Sequence, residues 1–469
     1  MFSQFNKLFG HKHQFLWHRL LCHSLVLFVF MASLLMQSPN GINKLQKKHS
    51  HKSSYQKYLH LYCIIYTMVT VEQAEKIILT EAKNYGTEEL YFEDAVGRTL
   101  AEDITADRDL PPYDRVTMDG IAIKFEAFEK GDRIFKIIGT QAAGDTPIEI
   151  QNNNECVEIM TGAALPSSTD SVIRYEDLNI KDGIAAVTTD AVIKNQSIHF
   201  KGKDKKQNEV VVKANQIVSP AVIQMAAAVG KEKLLVKKLP KVVIISSGDE
   251  LIEVNETPTP YQIRKSNNYT IKAALQQYRI NADMIHIPDD AAITRKEIEK
   301  SLQEYDVIIL TGGVSEGKFD YIPTALKACG VEKLFHKVQQ RPGKPFWFGK
   351  HDKGVLVYAF PGNPVSTFMC LHRYFFLWLE HSLNIAKQPI YAQLAQDFVF
   401  KPQLQYFLQV QLHVDEKGTM LATPVEGNGS GDFANLLGTD AFMELPLEQN
   451  NFTKGEVFRI WQFSISTKW

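Results

Sequence analysis

"DVIILTGGVSEGKFD", residues 306–320, joins an apolar run to a glycine-rich loop. Val307 to Leu310 has the composition of a strand buried on both faces. The loop nearly spells a P-loop, since Gly312, four residues, Gly317 and Lys318 fit G-x-x-x-x-G-K. Position 319 is Phe, where a P-loop carries the Ser or Thr that holds magnesium. Asp320 and Pro323 read as the cap and first turn of the next helix, which therefore begins later than a P-loop helix does. Gly312 and Gly313 leave backbone N–H groups open to a phosphate, and Lys318 need be no more than a solvated side chain.

Working outward, "VVII" (242–245) and "DMIHI" (283–287) are similar runs. They alternate with helical stretches at 267–279, 294–304 and 323–329. That alternation predicts right-handed β-α-β crossovers and a largely parallel sheet. A last strand, Val355 to Ala359, feeds a helix running from Pro364 to His381.

Open α/β sheets bind ligands at the carboxyl ends of their strands. Besides the opening loop, "SSGDEL" (246–251) and "FPGNPVS" (360–366) fall there. Each alone is ordinary turn chemistry. Pro361 fixes φ, Gly362 admits positive φ, Asn363 can cap a helix, and Pro364 suits its first position. Together they set helix starts along one edge, each favouring an anion by roughly 0.3–1 kcal/mol. Ser247 and Gly248 belong to the same edge. Asp249, Glu250 and Asp320 offer hard oxygens, which suits a magnesium ion held by one or two carboxylates, phosphate oxygens and water. In "QQRPGKPFWFG" (339–349), Arg341 and Lys344 flank a Pro-Gly turn. This is either a surface hairpin or an oxyanion clamp, and the clamp is the expectation. "EGNGSGDFANLL" (426–437) is a further glycine-rich loop, with Ser430 near its centre.

The rest of the chain reads as separate modules, and a length of 469 residues predicts three or four domains. Thr70 to Gln73 forms a capping box, opening a helix expected to reach Asn84. A Pro-rich loop, "DLPPYDRVTMDGIAI" (109–123), leads into short strands and turns up to Ile193, a small β-rich domain. Ser219 to Val229 is helical, in a segment expected to pack back on the first helix, which makes the β domain an insertion. "FLQVQLHV" (407–414) alternates apolar and polar residues as a half-buried strand does, and Glu416-Lys417-Gly418 turns a hairpin. The expected division is a linker domain (68–108 and 194–238), a β insertion (109–193), an α/β domain (239–386) and a C-terminal β domain (387–469).

A near-neutral net charge of −1 argues against a nucleic-acid binder. Five scattered cysteines without a C-x-x-C pair fit a reducing compartment, so a cytoplasmic location is expected. Residues 1–67 differ from the remainder: they hold no Asp or Glu and seven of the 14 histidines. The expectation is an unstructured extension or untranslated sequence read in frame upstream of Met68. The apolar stretch Leu20 to Met36 leaves a signal peptide or short membrane anchor as the alternative.

"PPYDRVTMDGIAI", "MTGAALP", "SSGDEL", "TGGVSEGKFD", "RPGKPFWFG", "FPGNPVS" and "GNGSGDFANLL" occur in this order from Met68 onward. The set resembles the molybdopterin molybdenumtransferases, the MoeA-like molybdenum insertases that also include the C-terminal domain of gephyrin. The resemblance implies an elongated homodimer of four-domain subunits: a helical linker domain, a β-rich insertion, a three-layer α/β molybdopterin-binding domain with a mostly parallel sheet, and a C-terminal β domain. It implies that adenylated molybdopterin and molybdate give molybdenum-molybdopterin and AMP, with magnesium. The site would be built by Asp249, Asp320, Arg341, Lys344 and Pro361-Gly362-Asn363-Pro364, with Asp119 and Thr161 reaching across from the other subunit. Gly312, Gly313 and Ser315 would hold the pyrophosphate, and Ser430 would bind alongside. Asp119, Asp249, Asp320 and Lys344 are the catalytic candidates. Transient contact with the molybdopterin adenylyltransferase is a further expectation, as is the absence of a nucleic-acid or membrane partner unless the N-terminal segment is real.

Three positions depart from the family pattern. Lys203 stands where Glu is frequent and receives no role, Arg341 stands where Lys is common, and Glu316 adds a negative charge to the phosphate loop. The alternatives are the adenylyltransferase itself, which needs neither β domain, and a non-catalytic pterin-binding scaffold.

Overall fold

Six strands form the sheet that carries the predicted loops: β1 Val242–Ser247, β2 Asp283–Ile287, β3 Val307–Thr311, β4 Val331–His336, β5 Trp347–His351 and β6 Leu356–Phe360. Their order is β2-β1-β3-β6-β5-β4 in the computed structural model, which describes residues 68–313 and 321–464. The N-terminal segment 1–67 lies outside the described residues, and so do Ser315, Glu316, Lys318 and Asp320. Among the described residues no helix is long and apolar enough to cross a membrane.

Strands β2, β1, β3 and β6 run parallel, with Ile245 opposite Leu310 and Leu310 opposite Ala359. Every residue of β1, β3 and β6 is buried, as their unbroken apolar runs predict. Alternate residues point to opposite faces. Val242, Ile244, Ile309, Tyr358 and Phe360 meet Ile271 and Leu275 of helix Asn267–Gln276 on one side. Val243, Ile245, Ile308 and Leu310 meet Ile298 and Leu302 of helix Ala291–Glu304 on the other. Burying each such side chain contributes roughly 1.5–3 kcal/mol, so the three layers hold each other in place.

The sheet is more mixed than the alternation predicted. Strand β5 pairs antiparallel with β6, and β4 pairs antiparallel with β5. The "FWFG" of the expected clamp loop is thus largely strand, because Trp347 and Phe348 are needed to close the core. Helix 291–304 begins three residues before its predicted start, since Asp290 caps it by accepting from the N–H groups of Ala292 and Ile293. Helix Ile322–Ala328 has Tyr321, not Asp320, at its cap position. The helix from Pro364 is not uniform: Pro364–Cys370 and Phe376–Ser382 are joined by a π-helical segment, Leu371–Phe375.

The capping box at Thr70 and Gln73 is present, with both reciprocal bonds made. Helix Val71–Thr80 stops short of Asn84, because Trp378 Nε1 donates to the Glu81 carbonyl and Asn84 turns back to accept from Gly86 N–H. Contrary to expectation, helix Pro220–Ala228 does not pack on it. Val71, Ala74 and Ile78 bury against the α/β core, whereas Val222 and Ala226 bury against Leu234 and Val236. The strand holding the last two, Lys233–Lys237, pairs antiparallel with Thr87–Tyr91.

Between those paired strands lies a six-stranded sheet drawn from Gly120–Ile123, Ile134–Gln141, Glu155–Ile159, Ser171–Arg174, Leu178–Lys181 and Ile184–Val187. At the other end of the chain, Ile390–Leu394, Gln405–Val414, Met420–Pro424, Ala441–Leu445 and Val457–Gln462 pair in a closed ring. A closed barrel leaves no strand edge unpaired. Leu408, Val410 and Leu412 point into its core, as their alternation predicts.

Candidate active site at the carboxyl edge of the sheet

Four parallel strands end side by side, and two adjacent asparagines tie their ends together. Asn268 is buried; its Nδ2 donates to Ser246 Oγ at 3.0 Å and its Oδ1 accepts from Thr311 Oγ1 at 3.3 Å. Ser246 Oγ also lies 3.1 Å from His286 Nδ1 at the end of β2. Burial, and then the Lys265 ammonium, hold the His286 pKa below its ordinary value, so the ring stays neutral at pH 7. Asn267 Nδ2 donates to the Gly362 carbonyl at 2.7 Å, fastening the loop after β6. Sequence reading missed both asparagines. The available signal was an Asn pair opening a helix at this same edge.

The glycines allow the three loops to meet. A Cβ on Gly313 would sit 2.8 Å from Ser247 Oγ and 2.7 Å from Ile322 Cδ1, and Gly313 has φ +63°. A Cβ on Gly362 would lie 3.5 Å from Gly312 Cα. Ser247-Gly248, Gly312-Gly313 and Gly362 are therefore neighbours, as the shared edge predicted. Pro361 accepts from Thr367 Oγ1 at 2.5 Å, which holds the loop against its own helix.

Asn363 takes the N-cap position but makes no capping bond. Its Nδ2 instead donates to Ser430 Oγ at 2.8 Å, and Val365 N–H donates to the Ser430 carbonyl. The Gly-rich loop of the barrel is thereby fastened to the sheet edge. The Arg341–Lys344 turn shares a cavity with Pro361, Asn363 and Ser430, and the lining of that cavity includes none of Ser247, Gly248, Asp249, Gly312 and Gly313. Gln340 and Arg341 pair with Gln405 and Tyr406 of the barrel, so this turn bridges two modules. Arg341, Lys344, Pro361, Asn363, Ser366 and Ser430 are among the residues lining a cavity of about 310 Å³. Arg341 and Lys344 are exposed, while Pro342 and Gly343 between them are buried.

Asp249 and Glu250 follow β1 and are exposed. Asp249 Oδ1 accepts from Asp289 N–H at 3.1 Å. The Glu250 carboxylate folds back over Gly248, where a Cβ would come within 2.3 Å of its Oε2. No group of three His, Cys, Asp or Glu that could hold a metal exists among the described residues. Two carboxylates without nitrogen or sulfur donors fit magnesium, which keeps water and phosphate oxygens as its other ligands, and do not fit a closed structural metal site.

Asp119 and Thr161 occur elsewhere, on turns of the six-stranded sheet within residues 120–187, and neither lines the cavity. They do belong together, since Thr161 N–H donates to Asp119 Oδ1 at 2.6 Å and holds that carboxyl below the usual range. Tyr175 donates from its N–H to the Asp119 carbonyl and from its hydroxyl to Glu158. Burial and the Glu158 carboxylate push the Tyr175 phenol up to about 12. Lys203 is exposed.

Such an edge suits a ligand with phosphate groups and a second oxyanion beside it. Three family models match the chain in order. These are the MoeA N-terminal region (domain I and II) over residues 69–230, the probable molybdopterin binding domain over 243–381, and the MoeA C-terminal region (domain IV) over 391–463. The molybdopterin molybdenumtransferase of Synechocystis sp. is 38% identical over 394 residues, covering 83% of this chain and 99% of the relative. That of Staphylococcus aureus strain Mu50 is 29% identical over 401 residues, covering 84% and 95%. The crystal structure of the molybdopterin biosynthesis MoeA protein from Pyrococcus horikosii superposes with a TM-score of 0.72 at 27% identity, covering 85% of this chain and all of that one. The chain belongs to the molybdopterin molybdenumtransferase family.

Proposed function

We propose that the protein inserts molybdenum from molybdate into adenylated molybdopterin, releasing AMP. The observation that carries this reading is the meeting of Ser247-Gly248, Gly312-Gly313 and Gly362 at one edge, with two cations beside Pro361 and Asn363 of the last loop. The Gly312 N–H, expected to be open, already donates to the Phe360 carbonyl at 3.3 Å, so the pyrophosphate is assigned to the other backbone N–H groups of the glycine loops. Arg341 and Lys344 bind molybdate, with Arg341 offering a planar fork and Lys344 a point charge. Ser430 borders the same cavity and is oriented by Asn363. The substrate's dithiolene thiols take the metal by displacing molybdate oxygen as water, and a water or molybdate oxygen attacks the phosphoanhydride to release AMP, so the protein needs no nucleophile of its own.

Asp249 and Glu250 would hold magnesium, with Asp320 proposed as their third partner. When bound, the ion offsets charge on the phosphoryl oxygens as the phosphoanhydride opens. The chain's own groups orient the anhydride and keep the two oxyanions apart.

The working unit is proposed to be a homodimer in which Asp119 and Thr161 of one subunit complete the other's site. The support is their mutual bond and exposure, together with their absence from the lining of the cavity. The domain division at 68–108 with 194–238, 109–193, 239–386 and 387–469 belongs to the same proposal. The pairing of Thr87–Tyr91 with Lys233–Lys237 brackets the insertion in its support. A cytoplasmic location and transient contact with the adenylyltransferase that supplies the substrate are proposed with it.

The test is AMP release by the purified protein from adenylated molybdopterin and magnesium, with and without molybdate. Release that requires molybdate is the expected result; consumption of ATP with free molybdopterin would instead make the protein the adenylyltransferase. Asp119→Ala and Asp249→Ala variants are each expected to be inactive alone and to regain activity when subunits are mixed, because one hybrid site keeps both carboxylates. No recovery in verified hybrid dimers would refute the shared site.

A further inference from the structure

The Arg341–Lys344 turn rests on a chain of buried polar groups to which nothing above gives a role. Gln340 is fully buried beneath it. Its Nε2 donates to the Gly343 carbonyl at 3.2 Å, and its Oε1 accepts from the hydroxyl of Tyr374, which is fully buried too. Tyr374 belongs to the π-helical segment Leu371–Phe375, an irregularity frequent at functional sites. Its ring packs on Phe346, two residues beyond Lys344, with centroids 5.1 Å apart. The turn has no slack above this support: a Cβ on Gly343 would lie 2.7 Å from Cys370 Sγ and 2.8 Å from Gln340 Nε2.

The chemistry of the chain permits one arrangement. The Gly343 carbonyl can only accept, so it faces the Gln340 N–H₂, and the Tyr374 phenol, kept protonated by burial, donates to the amide oxygen on the other side. A Tyr hydroxyl donating to the Gln340 oxygen fixes which way that amide faces and leaves its N–H₂ for Gly343. The two exposed cations thus stand on a turn whose direction is set from below.

We propose that Tyr374 and Gln340 are positioning residues for oxyanion binding: through the Gly343 carbonyl they aim Arg341 and Lys344 at molybdate. This rests on the reading of that turn as the molybdate clamp. Tyr374→Phe in the full chain removes one hydroxyl and keeps the ring. It is expected to raise the molybdate concentration giving half-maximal AMP release by about tenfold, the scale of outer-shell effects on bound ions. The half-saturating concentration of adenylated molybdopterin should stay unchanged. Gln340→Met, which removes the same link from its other side, should reproduce the split and serves if the Tyr variant does not fold. A purely structural role would lower the melting temperature and leave molybdate half-saturation where it was, which would overturn the proposal. Lys344→Ala separates the two levels. If it raises molybdate half-saturation while Tyr374→Phe does not, the positioning role fails and the clamp stands. If Lys344→Ala has no effect, the clamp reading fails first.

Discussion

Asp249→Asn is expected to cut molybdate-dependent AMP release by at least about a hundredfold, the scale seen when a group stabilising transition-state charge is lost. Asp249 is the first residue after Gly248, exposed at the carboxyl end of β1. Its Oδ1 accepts from Asp289 N–H at 3.1 Å, a bond that an Asn side-chain oxygen can make equally well. The turn should therefore survive, and only the charge disappears. A neutral amide binds magnesium poorly, so charge on the phosphoryl oxygens goes unbalanced. The variant should keep its circular dichroism spectrum while turnover at saturating substrates collapses. Normal turnover would remove Asp249 from the metal site and leave Glu250 and Asp320 as its candidates.

Arg373→Ala is expected to cost about 3–5 kcal/mol of stability, the penalty for stranding the partners of a buried charge. Arg373 is 2% exposed and sits where three elements meet. Its Nη2 donates to Glu75 of helix Val71–Thr80 at 2.5 Å, and its Nε lies 3.3 Å from Glu444 of the barrel. Its guanidinium also stacks over Trp461 at 4.3 Å. Glu444 further accepts from Gln405 Nε2 and Trp461 Nε1, so it is held in place when the cation is removed. Guanidinium unfolding of the variant should show the loss first as release of the barrel, through Trp461 fluorescence. A change below about 1 kcal/mol would class the network with ordinary surface ion pairs.

Much of this architecture could be read directly from residue patterns. The runs at the heart of β1, β3 and β6 are apolar, and a strand buried on both faces leaves little else for such runs to be, whereas β2, with Asp283 and His286, is only partly buried. Strands β4 and β5 were not legible. Glu332 and Lys333 make β4 look wet, and β5 follows a Pro-Gly turn whose punctuation dominates its reading. The sheet-edge convergence was legible because β-α-β crossovers return every strand in the same direction. The bonds across that edge were not. Asn363 is placed for capping by local rules, yet Ser430, distant along the chain, offers its hydroxyl at 2.8 Å. Local propensity carries no information on such a partner, nor on Asn268 joining Ser246 to Thr311. The π segment under the Arg341–Lys344 turn is equally silent in the sequence, since its residues have ordinary helical composition.

The most direct measurement is the ratio of AMP released to molybdenum bound in the pterin product, under single-turnover conditions with magnesium present. If the sheet-edge loops hold the anhydride while Arg341 and Lys344 present molybdate, the ratio is one and no AMP appears when molybdate is omitted. AMP released at the same rate without molybdate, or molybdenum loaded with the adenylate still attached, would contradict the account.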